Sequence, residues 1–261
     1  MFRNEFLRMY ELRDQIKNPD SLNQFWKNLD VNIQNIVWRE ACRPYEDALK
    51  KLDSTAWEFI KKEASVHQNR WDKKKLRGQQ PLIDLLNQAR AYTYLRGIGC
   101  SDIHFIPQSK VKGVKTPDLK GALGEIKVIC EVKTINISND EALRRRRGDT
   151  VRNEYIPLEQ GFFDKLISDI KEANDQIEAY DIGKQARHIV YIIINFDNFW
   201  GEYKEKHFQE IDQYLCENII HGIEIVFHNQ RTAFHRAITM KYATVVNEAY
   251  FPETSPSLSH A

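Results

Sequence analysis

Two residues of opposite charge, Glu131 and Lys133, sit inside the apolar run Ile129-Cys130-Glu131-Val132-Lys133-Thr134-Ile135. Side chains alternate across a strand, so Glu131 and Lys133 project from one face while Val128, Cys130 and Val132 enter the core from the other. A carboxylate and an amine held side by side on a buried strand suit metal-assisted hydrolysis. Mg²⁺ takes oxygen ligands, usually one or two carboxylates completed by waters and substrate phosphate. Glu131 can give one carboxylate and the Val132 backbone carbonyl another oxygen. Asp118 can add a second carboxylate from the preceding strand, which a hairpin places alongside, and Mn²⁺ can replace Mg²⁺. Lys133 then lies near the attacking water, where its ammonium orients that water and offsets the charge building on phosphorus. The plainer alternative is a salt-bridged strand in which Glu131 and Lys133 merely pair.

The elements that must hold these groups are legible in the pattern around them. Pro81 starts a helix whose residues Leu82, Leu85, Leu86, Ala89 and Tyr92 keep helical spacing, and Gly97 and Gly99 end it. Ile103 to Ile106 is a short strand, Lys110 to Lys115 a loop. Asp118 to Leu123 and Ile126 to Ile135 are two strands joined by a tight turn at Leu123-Gly124-Glu125. Phe163, Leu166, Ile167, Ile170, Ala173, Ile177 and Tyr180 form one helical stripe. His188 to Phe196 is nearly all apolar, as in a strand buried on both faces. A helix over 203–216 and a strand at Ile223 to Phe227 follow. Upstream, residues 1 to about 75 read as helical, with a capping box at Ser21-Leu22-Asn23-Gln24. Pro44 is expected in the first turn of a longer helix running to about Ala64, and Trp26, Trp38 and Trp57 serve as packing anchors. The expected organisation is a helical N-terminal region over 1–78, an α/β domain with a mixed central sheet over 79–251, and a disordered tail over 252–261.

Pro117-Asp118, twelve intervening residues, then Glu131-Val132-Lys133 resembles the signature of the PD-(D/E)XK nuclease superfamily. The helix, three strands, helix, strand order over Leu82 to Phe196 is similar to the restriction-endonuclease-like αβββαβ core of that superfamily. The resemblance implies a metal-dependent nuclease acting on DNA rather than RNA, with Asp118 and Glu131 on the metal and Lys133 beside the water. It also implies roles for Gln176 and Tyr180, since Gln176-Ile177-Glu178-Ala179-Tyr180 matches the QxxxY pattern of exonuclease-like branches. At i and i+4 the two share one side of a helix. One position departs from the family. Members often carry a glutamate on the first core helix, eleven residues before a glycine, and counting back from Gly99 gives Gln88. A neutral amide is a poorer metal partner, although Asp84, one turn earlier, can substitute. The departure keeps open a catalytically inactive module of the same fold that binds nucleic acid or a protein partner.

Charge supports a polyanionic partner. From Arg70 to Tyr155 there are 18 Lys and Arg against 10 Asp and Glu, so a nearly neutral chain has a basic middle and acidic flanks, and phosphate neutralisation supplies most nonspecific affinity for nucleic acid. The run Arg144-Arg145-Arg146-Arg147 follows soon after the reactive strand and can grip backbone phosphates. Cutting both strands of a duplex would suit a homodimer. Cys42, Cys100, Cys130 and Cys216 are far apart with no CxxC pair, which argues against a zinc knuckle or disulfide framework. His221, His228 and His235 recur every seven residues, but their segment mixes strand and loop, so no metal face follows. There is no P-loop, GxGxxG or GxSxG. No stretch approaches the ~18 apolar residues of a membrane helix, and no signal peptide opens the chain, so a cytoplasmic, membrane-free protein is expected.

Overall fold

The computed structural model describes residues 2–16, 24–67, 80–111, 113–136, 155, 157–183, 185–195, 200–218, 222–228 and 233–236. Its centre is the hairpin of Leu119–Leu123 (β2) and Ile126–Asn136 (β3). Leu123 pairs with Ile126 across a two-residue turn in which Gly124 takes φ +60°, a conformation open to glycine without steric cost. Ser101–Phe105 (β1) lies antiparallel on the far side of β2, and Gly121 lets it approach. A Cβ at that position would sit 3.2 Å from the Ser101 carbonyl oxygen. The expected strand at Ile103 begins two residues earlier, because Asp102 at φ +48° and a register shift before His104 interrupt the alternation there.

On the other side of β3, Arg187–Asn195 (β4) and then Glu224–His228 (β5) add in parallel, and Ala233–Arg236 (β6) closes the edge antiparallel. The six strands thus form one mixed sheet in chain order. Parallel neighbours need a crossover connection. Gln160–Tyr180 (α7) lies between β3 and β4 in the chain, and Trp200–Glu217 (α8) between β4 and β5. Both faces of the sheet are buried. Along β4, Val190, Ile192 and Ile194 meet Leu166, Ile170 and Ile177 of α7 and Ile211 of α8, while Ile189, Tyr191 and Ile193 point into the opposite layer.

That opposite layer is built on Gln80–Gly97 (α6), backed by Leu7–Asp14 (α1), Gln24–Lys27 (α2), Leu29–Gln34 (α3), Ile36–Lys50 (α4) and Ser54–His67 (α5). One hydrophobic cluster runs from Phe6, Trp26 and Leu49 through Leu86 and Phe105 to Val128 and Tyr191, so the N-terminal helices share a core with the sheet. Phe105 stacks on Phe59 of α5 at 4.8 Å and on Tyr92 of α6 at 5.6 Å. Glu46, fully buried in α4, accepts the N–H groups of Arg8 and Met9 at 3.1 and 2.9 Å. Those are unpaired donors at the start of α1, which explains a carboxylate in that core.

Two expectations need correction here. Pro44 lies inside α4, not in its first turn, and that helix stops at Lys50 rather than near Ala64. A new helix starts at Ser54 because Asp53 accepts the Ala56 N–H at 2.8 Å and caps it. Trp26 and Trp57 are buried anchors, whereas Trp38 is 57% exposed, because the buried face of α4 begins a turn later, at Cys42. The capping box at Ser21-Leu22-Asn23 and the tail 252–261 lie outside the described residues. Among the described residues no helix is long and apolar enough to cross a membrane.

Candidate active site

The β2–β3 ladder ends with Leu119 opposite Cys130, while β3 runs on to Asn136 beside β4. Extending the same register by one residue sets Asp118 opposite Glu131, and directly opposed residues share a face with Cβ atoms about 4.5–5.5 Å apart. Beyond that pair no strand among the described residues continues along the β2 side of β3. Asp118 fills the first part of that side, its Oδ2 accepting the Val132 N–H at 2.8 Å. A strand residue sends its N–H and C=O to the same side, so the Val132 carbonyl points there too.

Each side chain of the group is held by a second element. Gln88 of α6 donates through Nε2 to Asp118 Oδ1 at 2.7 Å. Gln176 of α7 donates to Glu131 Oε2 at 3.0 Å and to the Thr116 carbonyl just ahead of Asp118. Lys133 Nζ lies 3.0 Å from Glu131 Oε1 and 3.5 Å from Glu172 Oε1 of α7. Asn87 donates to the Thr134 hydroxyl at 3.0 Å and ties α6 to the other face of β3. These groups open onto a cleft of about 330 Å³ that runs between α6 and α7 over the end of the hairpin. Gln80, Asp84 and Gln88 line it from α6, and Lys165, Asp169 and Glu172 from α7.

The cleft is rich in negative charge. Asp84, Asp118, Glu131, Asp169 and Glu172 line it against two ammonium groups, Lys133 and Lys165. Asp118 is 8% exposed and Glu131 4%. Burial pushes the Asp118 carboxyl well above its usual range, the Glu131 charge pushes it further, and the Val132 N–H only partly offsets them. Burial also raises Glu131, against the opposing pull of Lys133. Lys133 loses hydration on burial, which by itself lowers its pKa, but Glu131, Glu172 and Asp118 reverse the sign and hold it above the ordinary lysine value. Lys133 is therefore a fixed cation and hydrogen-bond donor, not a base.

This donor set fits a hard divalent ion. Two facing carboxylates and a strand carbonyl that no strand among the described residues pairs are the protein share of a typical magnesium site, which keeps water in its other positions. Among the described residues no three His, Cys, Asp or Glu side chains meet as a cage. The surplus of buried negative charge around Asp118 is what a dication offsets.

The expected site residues Asp118, Glu131, Val132, Lys133, Gln88 and Gln176 therefore come together. Tyr180 does not join them. It lies one turn beyond Gln176, packed at the edge of the core with its ring 5.5 Å from Lys127 Nζ, and it does not line the cleft. Arg144, Arg145, Arg146 and Arg147 lie outside the described residues. Glu172, Asp169 and Lys165 belong to no motif, yet the sequence carries a signal for them. Lys165, Asp169, Glu172 and Gln176 each precede a residue of the apolar stripe Leu166, Ile170, Ala173 and Ile177, forming a polar stripe at the same helical spacing that borders the buried one. Compared with known proteins, the chain matches no family model, no curated protein and no solved structure.

Proposed function

We propose that this protein is a Mg²⁺-dependent nuclease that hydrolyses phosphodiester bonds of DNA, on a restriction-endonuclease-like core formed by α6, β1, β2, β3, α7 and β4. The carrying observation is the convergence of Asp118, Glu131 and Lys133 where β2 and β3 part, at the floor of an open, acidic cleft. The element order agrees with the αβββαβ resemblance, and the preference for DNA rests on that resemblance alone. Asp118, Glu131 and the Val132 carbonyl would hold the ion, with Mn²⁺ as a substitute. Bound there, Mg²⁺ would supply Lewis-acid polarisation of the phosphate and a more acidic attacking water.

The chain's own groups do the rest. Lys133, cationic and 15% exposed, reaches into the cleft and donates to the attacking water and to oxygens gaining charge in the transition state. Glu131 fixes that ammonium at 3.0 Å, and Gln176 fixes Glu131 through its second oxygen. Gln88 orients Asp118. The floor is preorganised because β3 is hydrogen-bonded to β4 along its length.

A second reading has one observation behind it. Gln88 spends an N–H on Asp118 Oδ1, so one carboxylate oxygen is occupied by a donor that a glutamate could not supply. This favours a nuclease-fold module that binds nucleic acid or a protein partner without cutting. The test is cleavage of plasmid and of linear single- and double-stranded DNA with Mg²⁺, Mn²⁺ or EDTA, comparing wild type with folded Lys133→Met. Metal-dependent cutting that drops by at least about 100-fold in the variant, as when a transition-state donor is lost, supports the enzyme. DNA binding without cutting under every metal condition selects a nucleic-acid-binding module, and neither binding nor cutting rejects the nuclease and leaves only the form of the module that binds a protein partner.

A further inference from the structure

The loop between β1 and β2, described over residues 106–111 and 113–118, is tied to the site more closely than a surface connection requires. Its neck is closed by the Ile106 N–H on the Asp118 carbonyl at 2.8 Å and by the Thr116 hydroxyl on the Pro107 carbonyl at 3.1 Å. Two residues of α7, one turn apart, then grip loop and reactive strand together. Gln176 donates to the Thr116 carbonyl and to Glu131. Glu172 accepts from Lys115 at 2.6 Å and from Lys133 at 3.5 Å through the same oxygen. Neighbouring loop residues thus share a helix with the i and i+2 residues of β3, so the loop cannot shift without disturbing Glu131 and Lys133.

The loop is also chemically unlike the cleft it borders. The cleft lining is acidic, whereas the loop carries exposed Lys110 and Lys115. Val111 and Val114 are 65% and 54% exposed beside them, apolar surface of the kind that meets sugar and base edges below a phosphate line. An acidic cleft repels a polyanion unless cations stand beside it, and Lys115 is paired with the cleft residue Glu172 while 62% exposed.

We propose that this loop is a substrate arm, in which Lys110 and Lys115 hold backbone phosphates of the nucleic acid beside the cleft and Glu172 positions Lys133 while docking the arm. When a phosphate takes Lys115, Glu172 is left to Lys133 alone, so substrate engagement tightens the hold on the reactive lysine. This rests on the nuclease reading above and deepens it. Glu172 is a positioning residue in this scheme and touches no reacting atom.

The experiment is salt-dependent binding of a fluorescent DNA duplex with Ca²⁺ in place of Mg²⁺, followed by cleavage kinetics with Mg²⁺. Each phosphate contact contributes close to one unit to the slope of log affinity against log salt. Lys110→Ala and Lys115→Ala should each reduce the slope by about one, equally on unrelated sequences, and Lys62→Ala on α5 should not. Glu172→Ala should keep the wild-type slope but lower kcat on the order of 10- to 100-fold, the usual cost of losing an orienting partner, with Glu172→Gln recovering part of it. Wild-type slopes in both lysine variants, or wild-type kcat in Glu172→Ala, overturn the arm while leaving the nuclease reading intact. A wild-type protein that neither binds nor cuts DNA overturns both.

Discussion

Replacing Asp118 by asparagine should make the metal-free protein no less stable, and by most routes more stable, while abolishing its response to magnesium. The Asp118 and Glu131 side chains meet directly, and two like charges about 5 Å apart repel by about 3 kcal/mol at an effective dielectric near 20. Asparagine removes that repulsion. It also changes the hydrogen bonding, because Asp118 accepts from both Val132 N–H and Gln88 Nε2. An amide oxygen can keep one of these, and the other donor then faces an NH₂ group, costing about 1–3 kcal/mol. The balance is between zero and about 2 kcal/mol in favour of the variant, a rise in Tm of up to about 8 °C for a chain of this size.

Magnesium should act on the wild type alone. At a free concentration 100 times Kd, binding stabilises by about 2.7 kcal/mol, or about 5–10 °C. The assay is thermal unfolding at pH 8 with EDTA and across a Mg²⁺ titration. The pH dependence carries the same sign. Both buried carboxyls are raised, Asp118 by burial and Glu131, and Glu131 by burial. The folded protein therefore binds protons more tightly than the unfolded chain, and metal-free stability falls as pH climbs above the ordinary carboxylate range toward the raised values. Asp118→Asn should flatten that fall. A variant that melts several degrees below wild type in EDTA, or that still gains Tm with magnesium, would refute the reasoning, because Asp118 would then be a structural acceptor rather than a ligand.

Asp53 both caps α5 and accepts the Tyr92 hydroxyl at 2.7 Å, so Asp53→Ala should lower stability by about 1–3 kcal/mol, and an unchanged urea midpoint would remove the cap from the account. His228, hydrogen-bonded to the Tyr191 hydroxyl, is held well below the usual histidine range by burial and then by the Arg90 charge. The unfolded chain takes up that proton below pH ~6.5, so stability should be lost as pH falls through that range and the loss should shrink in His228→Asn, as read from urea midpoints at pH 5 and 7. Burial raises the Cys42 and Cys100 thiols to about 11 and Cys130 well above its usual value, whereas Cys216 is exposed. A chromogenic disulfide reagent at pH 8 should titrate Cys216 quickly and the other three only after denaturant, and a second fast thiol on native protein would contradict the buried placement.

Where one periodicity dominated, the sequence was legible. The stripe Leu166 to Ile177 reads as a helix because every third or fourth residue is apolar, and His188 to Phe196 reads as a doubly buried strand because Ile189 to Ile194 are all apolar, where the structure has the strand Arg187–Asn195. Boundaries set by single polar side chains were harder. The break between α4 and α5 depends on Asp53 reaching the Ala56 N–H, and an aspartate between two helical patterns looks much like any surface residue. Trp38 is exposed because the packed face of α4 starts at Cys42, a fact about the neighbouring helices rather than about the residues near it. The short strand Ala233–Arg236 passed unnoticed in a stretch where strand and loop residues mix. Tyr180 matched a motif, yet the helix carries it past the cleft. Glu172 matched none, because its importance comes from Lys115 and Lys133, distant in the chain and joined only by folding.

The spacing between Asp118 and Glu131 shows why part of the site could be read at all. The twelve residues between them are the five of β2, the two of the Gly124-Glu125 turn and the first five of β3. A two-residue turn pairs its flanking positions symmetrically, so equal arms on either side bring Asp118 and Glu131 directly opposite each other and onto one face. One residue more or fewer in either arm would turn one carboxylate to the other face and separate the pair. The short motif is weak as a string of letters but strong as a register, because a hairpin allows few other spacings for two facing carboxylates. Lys133 then follows at i+2 on the same face. What the register cannot specify is the third dimension. Gln88, Gln176 and Glu172 come from helices packed on opposite faces of the sheet, and their approach depends on the two hydrophobic layers on either side of β3. The chemistry of the strand is thus local, while its orientation and charge balance belong to the packing of the whole domain.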